Sequence, residues 1–386
     1  MIESGGYKMS DTISCFRSNF FTDQEYRFLL LNKDEVLASF HVDVRFDEIQ
    51  VDNVYWSAPS WIGDLAAFIA ARRAPKKREN IAELLKLSGC DTILGYLQIS
   101  HALSLVDTFW VKPQGSPLAW KDVSLYTHDF NEVIAKTAFE GGLHGMELST
   151  TSPEYGTDGT FAKCWIREND EIKMLKKGSS GTCNTGLEPY SEFYAPQIIK
   201  AFTDEFVPYD LRSVGGRVCS VCPIFTSEEY GFLPYAAIDR GNSALPQVIK
   251  NMERFGLEDK VKQMFVIDAV IMNEDRHKNN FGFLVDNETQ EIVGMAPLFD
   301  HNLSLLPYAE EDQFADIDAY LEQKGPRLAD SWVRSAARCL TPQTQKKLID
   351  LLDFKFEKHP KFNLPDWRLD CLNKIVRRMV EDILHF

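Results

Sequence analysis

The sequence predicts an α+β chain of two lobes, one β-rich and one mostly helical, behind an N-terminal α/β region. Two observations carry this. Between residues 157 and 237 the patterns run strand (157–167), turn (168–170), strand (171–177), helix (188–202), strand (214–225), strand (230–237); after Asn242 they turn helical, one helix spanning 312–323, interrupted by a hairpin at 281–299. The length of 386 residues allows two or three such units, here 1–115, 116–241 and 242–386.

Residues 26–53 alternate apolar and polar positions around the break Asn32-Lys33-Asp34 and read as a small antiparallel meander. Helical spacing follows at 61–71, 78–87 and 92–102, with Ser88-Gly89 as a stop signal, and a strand then ends at Pro113. This region carries no obvious catalytic chemistry. Its basic run, Arg72, Arg73, Lys76, Lys77 and Arg78, reads as a solvated helix end and turn, with a phosphate or partner-docking patch as the alternative.

Composition excludes some functions. A formal net charge of −15 argues against an autonomous nucleic-acid-binding surface, because phosphate backbones select basic faces. No apolar run is long enough to cross a bilayer, and residues 1–11 are too polar for a signal peptide, so a cytoplasmic location is the default expectation. The eight cysteines are scattered, as reduced intracellular thiols are. Cys219 and Cys222 have CxxC spacing, but Cys164 and Cys183 make poor partners for a zinc site. Buried cysteines on a strand are the favoured reading.

The richest stretch runs Asn273-Glu274-Asp275-Arg276-His277-Lys278-Asn279-Asn280, followed downstream by Ala296-Pro297-Leu298-Phe299-Asp300. A hairpin between them, apolar at 281–285 and 292–298 with a turn at 286–290, sets Asn280 beside Asp300, with Asp275 on the loop before. That pattern suits phosphoryl transfer, which needs a triphosphate held by metal and cations and an aligned acceptor hydroxyl. Asp275 is the candidate base. Asn280 and Asp300 offer a neutral and an anionic oxygen to magnesium. His277 can bond a phosphate oxygen or brace the loop, and so can Arg276.

The order of elements in residues 116–241 matches the small lobe of a kinase. There Ile172-Lys173-Met174-Leu175-Lys176-Lys177 offers two adjacent lysines on opposite strand faces. Lys176 shares its face with Met174 and is preferred over Lys177 for the phosphates. Glu192 on the next helix is its expected ion-pair partner, with Glu188 as the alternative. The loop 152–160 offers Gly156, Gly159 and Thr160 to the phosphates without a full G-x-G-x-x-G. Backbone near Phe225 is expected at the adenine edge.

These residues resemble the HipA-like kinase family, bacterial serine/threonine kinases whose founding members are toxins of toxin–antitoxin pairs. The resemblance rests on D-x-H-x-x-N-F at 275–281, A-P-L-F-D at 296–300 with Leu303-Ser304-Leu305, the lysine strand, and Ser191-Glu192-Phe193-Tyr194. The form at 275–280 is also similar to phosphatidylinositol-type lipid kinases. The resemblance implies a bilobal protein-kinase-like fold, ATP and magnesium as cofactors, and Ser/Thr hydroxyls of a protein substrate as acceptors. It further implies Asp275 as catalytic, Asn280 and Asp300 as magnesium ligands, and His277 near the phosphates. Autophosphorylation in the phosphate loop is implied too, with Ser152, Thr157 and Thr160 as available hydroxyls. Three departures stand out. His301-Asn302 follows the metal Asp in place of Phe-Gly, no A-P-E segment follows, and residues 1–115 do not resemble the toxins' subdomain. Activation-loop regulation is therefore not expected, and an antitoxin-like partner or a tRNA-synthetase substrate is not assumed. The alternatives are a small-molecule or lipid kinase, and a nucleotide-binding pseudokinase serving as an interaction module.

Overall fold

The computed structural model describes residues 26–386 except Trp56, Leu143, residues 146–149 and 182–184, and Asn242; residues 1–11 and Cys183, considered above, lie outside the described residues. The chain opens with β1 (Tyr26–Asn32), β2 (Glu35–Asp43) and β3 (Glu48–Val54), and β4 (Phe109–Pro113) joins the far edge of β1 to give the antiparallel order β3-β2-β1-β4. Alternation decides the faces. Phe28 and Phe40 pair across β1 and β2 with ring centroids 5.6 Å apart, facing helices α1 (Leu65–Ala71), α2 (Ile81–Ser88) and α3 (Ile93–Ser100). The stop after α2 is as the sequence indicates, with Gly89 left-handed at φ 81°. The basic run is a solvated face only in part: Lys76 and Lys77 are exposed, as expected, but its ends are not. Arg72 and Arg78 are both buried, Arg72 on the Asp107 carboxylate at 2.6 and 2.7 Å. Apolar neighbours on both sides draw these two inward because buried acceptors are waiting for them.

The second sheet follows α4 (Glu132–Glu140). It contains β5 (Lys163–Glu168), β6 (Glu171–Lys177), β7 (Asp210–Val214) and β8 (Arg217–Pro223) in the order β5-β6-β8-β7, with α5 (Glu188–Ile199) against it. Asn169 and Asp170 turn β5 into β6 with φ of 52° and 65°, the signs a two-residue primed turn requires. The sequence reading of one strand over 214–225 is corrected to a hairpin. Gly215-Gly216, at φ 58° and 77°, folds β7 onto β8. Trp120, Leu125 and Ile172 share one apolar cluster with Leu31 and Trp110, so this lobe is packed directly on the N-terminal region.

The strand expected at 230–237 does not complete that sheet. β9 (Tyr230–Pro234) pairs instead with β10 (Gly282–Asp286), which pairs with β11 (Ile292–Met295). The reason is packing: Leu233 faces the core of the helical lobe, and Tyr235 stacks on Phe281 at 5.0 Å. That lobe contains α6 (Leu245–Glu253), α7 (Glu258–Val270), α8 (Glu311–Ala315), α9 (Ile317–Glu322), α10 (Trp332–Cys339), α11 (Pro342–Asp350) and α12 (Asp366–His385). One helix expected at 312–323 is broken at Asp316, which leaves helical geometry and caps α9 with its carboxylate. Central to the lobe is α7, buried along Val261–Val270 apart from two partly exposed positions. Among the described residues no helix is long and apolar enough to cross a membrane.

Candidate active site

The loop after α7 is organised by a residue of charge, not of catalysis. Arg276, 1% exposed, sends Nε and Nη2 to the Asp268 carboxylate at 2.9 and 3.0 Å. Its Nη1 donates to two carbonyls, Asn280 O at 2.7 Å and Phe299 O at 2.9 Å. One nitrogen thus ties the residue that opens the hairpin to the residue that precedes Asp300. The expected convergence of residues 280 and 300 is achieved by this tie together with the ladder that pairs Phe283 with Met295. Arg276 therefore braces the loop.

Asn280 Nδ2 donates to Asp275 O at 3.0 Å, and the Asp275 N–H is held by Asn273 Oδ1 at 2.9 Å. These bonds fix the loop through backbone atoms. The Asp275 carboxylate is left out of the bracing: its Oδ1 is buried without a hydrogen-bond donor. Arg327 Nε approaches that oxygen to 2.7 Å as an ionic contact, but the N–H is not aligned with it. Asp300 sits at φ 55°, a strained setting for a residue with a side chain, and its N–H is held by the Tyr209 hydroxyl at 3.1 Å.

From the other lobe, Lys176 reaches across. Its Nζ lies 2.8 Å from Glu192 Oε1 and 2.6 Å from Asp300 Oδ1. Burial opposes its charge, yet the two carboxylates hold the ammonium protonated well above its ordinary range. Burial likewise opposes the charge on Asp300, and the Lys176 and Lys163 ammoniums overcome it, holding the carboxyl well below the usual range. Ser220 Oγ donates to the other oxygen of Glu192, which fixes the glutamate in turn. Lys177 points the other way and donates to Phe139 O at 2.6 Å. Glu188 is engaged elsewhere, accepting from the Ser179 N–H at 3.1 Å and the Tyr308 hydroxyl at 2.6 Å. Alternation on β6 thus separates the two lysines as anticipated.

A second lysine was not anticipated. Lys163 is the direct cross-strand partner of Lys176, and its Nζ donates to Asp158 O at 2.7 Å in the loop 152–160. Gly159, at φ 97°, is required there: a Cβ would stand 2.2 Å from Lys163 Nζ. Gly156 answers to a different neighbour, with Leu103 O only 2.5 Å from where its Cβ would be. Its contact is with the N-terminal region. That region braces the whole loop, since Arg78 donates to Glu154 O at 2.7 Å and Thr157 O at 2.8 Å, and the Glu79 N–H donates to Thr160 O at 3.1 Å. Residues 1–115, read as an accessory region, thus touch the candidate phosphate loop through these bonds. No motif in the sequence marks them.

His277 is partly exposed with Nε2 3.9 Å from the Asp275 carboxylate, and its Nδ1 accepts from the Asn279 N–H at 3.2 Å. Phe225 packs on Phe299 at 5.2 Å and Phe232 at 5.6 Å, so its ring joins the end of β8 to the Asp300 loop. The neighbouring Ile224 N–H is already spent on Ile172 O at 2.9 Å. Cys219 and Cys222 are buried on β8, and burial pushes their thiols up to about 11 and about 12.

Asn280 and Asp300 fit a magnesium ion by chemistry. With Nδ2 committed to a carbonyl, Asn280 has its amide oxygen to give, and Asp300 keeps Oδ2 beside the oxygen that Lys176 occupies. Among the described residues no group of three or more His, Cys, Asp or Glu is assembled for a metal. A magnesium bound mainly through phosphates requires only one or two protein oxygens.

No protein-family model matches the chain. It is 21% identical over 267 residues to the serine/threonine-protein kinase CtkA of Helicobacter pylori strain J99, across 64% of this chain and 73% of that one. A crystal structure of the H. pylori proinflammatory kinase CtkA covers 58% of this chain and 91% of its own, at 17% identity and a TM-score of 0.46. HipA of Shewanella oneidensis MR-1, solved with HipB and operator DNA, covers 93% of this chain and 98% of its own, at 12% identity and a TM-score of 0.52. Two lobes that bring a lysine–glutamate pair to a helical lobe's Asp300 define a bilobal kinase fold. Within that class the chain is similar in sequence to the serine/threonine-protein kinase CtkA and in fold to HipA. The 7% of this chain outside the HipA alignment is about 27 of 386 residues, so the fold is shared through most of the N-terminal region. The expected departure there is one of sequence and not of architecture.

Proposed function

We propose that the chain transfers the γ-phosphoryl group of ATP, with magnesium, to a serine or threonine hydroxyl of a protein. The observation that carries this is the buried Asp275 Oδ1 without a hydrogen-bond donor. Buried acceptors are nearly always satisfied, and one that has only the misaligned ionic contact of Arg327 has the setting of a base that awaits a hydroxyl. Asp275 takes the hydroxyl proton as the acceptor oxygen bonds to the γ-phosphorus and the bond to the β,γ-bridging oxygen breaks, releasing ADP. Lys176 and Lys163 supply positive charge to the phosphates from one sheet face, and Glu192 holds Lys176 in place. Asn280 and Asp300 would hold the magnesium ion, whose charge would offset that remaining on the phosphates. The similarity to CtkA, a serine/threonine-protein kinase by name, supports the choice of acceptor.

The test is incubation of the full chain with γ-labelled ATP, Mg²⁺ and a generic protein substrate. Label is expected on protein Ser or Thr and on the chain itself at Thr160. Ser152 is 1% exposed and bonded to Glu154, and Thr157 Oγ1 is bonded to Pro153 O and the Trp165 indole, while Thr160 is exposed. Thr160→Val should remove the self-label. Transfer only to small molecules of an extract would replace the protein acceptor, and nucleotide binding without transfer would make the chain an interaction module.

Lys163 gives the reading a pH signature. Burial first, then the adjacent Lys176 charge, pulls its pKa down to about 8. The ammonium is present below that value and lost as pH rises through it. The kcat/KM for ATP, which reports ionisations of the free protein, should fall across pH 8. Lys163→Met should flatten that step and lower kcat/KM at pH 7 by about tenfold, the loss of one charge-assisted hydrogen bond.

A further inference from the structure

Beside Asp275 runs a cleft of about 930 Å³ lined by His277, Arg327 and Arg338 together with Ser243, Pro246 and Ala329. Its charges are unevenly spoken for. Lys278, also on the wall, is held by Asp239 at 3.1 Å and Gly241 O at 2.6 Å. Asp330 is paired with Arg334 at 2.7 Å and stands 3.9 Å from Arg338. Arg327 and Arg338 therefore face the cleft, Arg327 against Asp275 at 2.7 Å and Arg338 against an Asp330 already paired with Arg334, in a chain whose net charge is −15. A positive cleft on an acidic protein selects anions.

Arg327 occupies a telling position. Its side chain is 58% exposed, and its Nε lies 2.7 Å from the oxygen of Asp275 that has no hydrogen-bond donor. A guanidinium there obstructs the hydroxyl that Asp275 must meet, and a misaligned ion pair whose arginine is exposed holds only weakly in water. The Nη groups remain to engage a second anion, for which the planar arginine fork is suited.

We propose that this cleft binds the acceptor segment and that Arg327 recognises an anionic group on it, a side-chain carboxylate or a phosphate, close to the hydroxyl to be phosphorylated. The inference rests on the kinase reading above and names its substrate class. Arg327 exchanges Asp275 Oδ1 for the substrate's anion, and the freed oxygen accepts the hydrogen bond of the incoming hydroxyl. Recognition of the anion and exposure of the base are then one event, and an acceptor without the anion leaves the arginine on Asp275.

The experiment uses the full chain and three fluorescein-labelled peptides with one central serine, flanked by Asp, by phosphoserine, or by Asn. Binding is read by anisotropy, and transfer is read from γ-labelled ATP with Mg²⁺. One anionic peptide should bind more tightly and react with at least about tenfold higher kcat/KM than the Asn peptide, and which of the two does so decides between carboxylate and phosphate. In Arg327→Gln that ratio should collapse to within about twofold at unchanged melting temperature, and Arg327→Lys should restore part of it. Equal use of all three peptides by the unaltered chain, or a preference that survives Arg327→Gln, would overturn the inference alone. Anionic binding that is lost in Arg327→Gln, with no transfer from any variant, would uphold the cleft and sink the kinase reading.

Discussion

Asp275→Asn is expected to lower phosphoryl transfer by about 10²–10⁴-fold, the range that general-base catalysis contributes, while ATP affinity stays within about threefold. The structure makes this substitution unusually clean. The loop is held by the Asp275 backbone, through its N–H to Asn273 and its carbonyl to Asn280, and by Arg276 beside it. The carboxylate makes no hydrogen bond that holds the loop, and its ionic contacts are to the largely exposed Arg327 and to His277. Asparagine keeps the volume and removes the proton acceptor, so the melting temperature should not move and the loss should fall on kcat. Single-turnover transfer from labelled ATP, with nucleotide binding measured by calorimetry, checks both halves. Retention of more than a tenth of the activity would take the base role from Asp275.

The turns were the most legible part of the fold, though not all were read. Asn169-Asp170 fixes a primed turn by residue type alone, and the β5–β6 hairpin follows from it. Gly215-Gly216 carries the same signal, but the apolar residues on both sides look like one long strand and mask it. The partner of β9 was not legible. A strand of five residues is compatible with either sheet by pattern, and only the side chains of Leu233 and Tyr235, buried in the helical lobe's core, choose between them.

At the site, what depended on local period came through. Lys176 and Lys177 are separated by strand alternation, and Glu192 lies one turn beyond Glu188 on α5, so the ion pair that forms was among the combinations the sequence offered. Long-range tertiary bonds did not come through. Lys163 stands opposite Lys176 only because β5 and β6 pair in that register. Arg78 reaches Glu154 and Thr157 across more than seventy residues, and in sequence it looks like one more surface cation in a basic run. A charge count cannot see this, since burial of an arginine is decided by carbonyls that folding brings to it.

Arg276 is the other large effect, and it acts on stability and chemistry together. Arg276→Met is expected to cost about 3–5 kcal/mol, the usual consequence of leaving a buried charge unpaired, here that of Asp268, with a fall in melting temperature on the order of 10 °C. Asp268 itself is 3% exposed and, among the described residues, its carboxylate keeps only the Asn273 amide, at 3.1 Å. The same substitution releases Asn280 O and Phe299 O, so the hairpin loses the tie that sets Asn280 beside Asp300. These two losses are separable. Removing the charge at both ends, in Asp268→Leu with Arg276→Met, should recover much of the stability because a hydrophobic pair of similar volume replaces the ion pair. It should not recover phosphoryl transfer, because neither side chain can donate to the two carbonyls. Denaturant melts of the single and double variants form a cycle that isolates the ion pair, and a parallel assay isolates the tie. A double variant that regains both stability and activity would mean that the ladder of β10 and β11 alone positions the magnesium ligands, and that Arg276 serves only to neutralise Asp268.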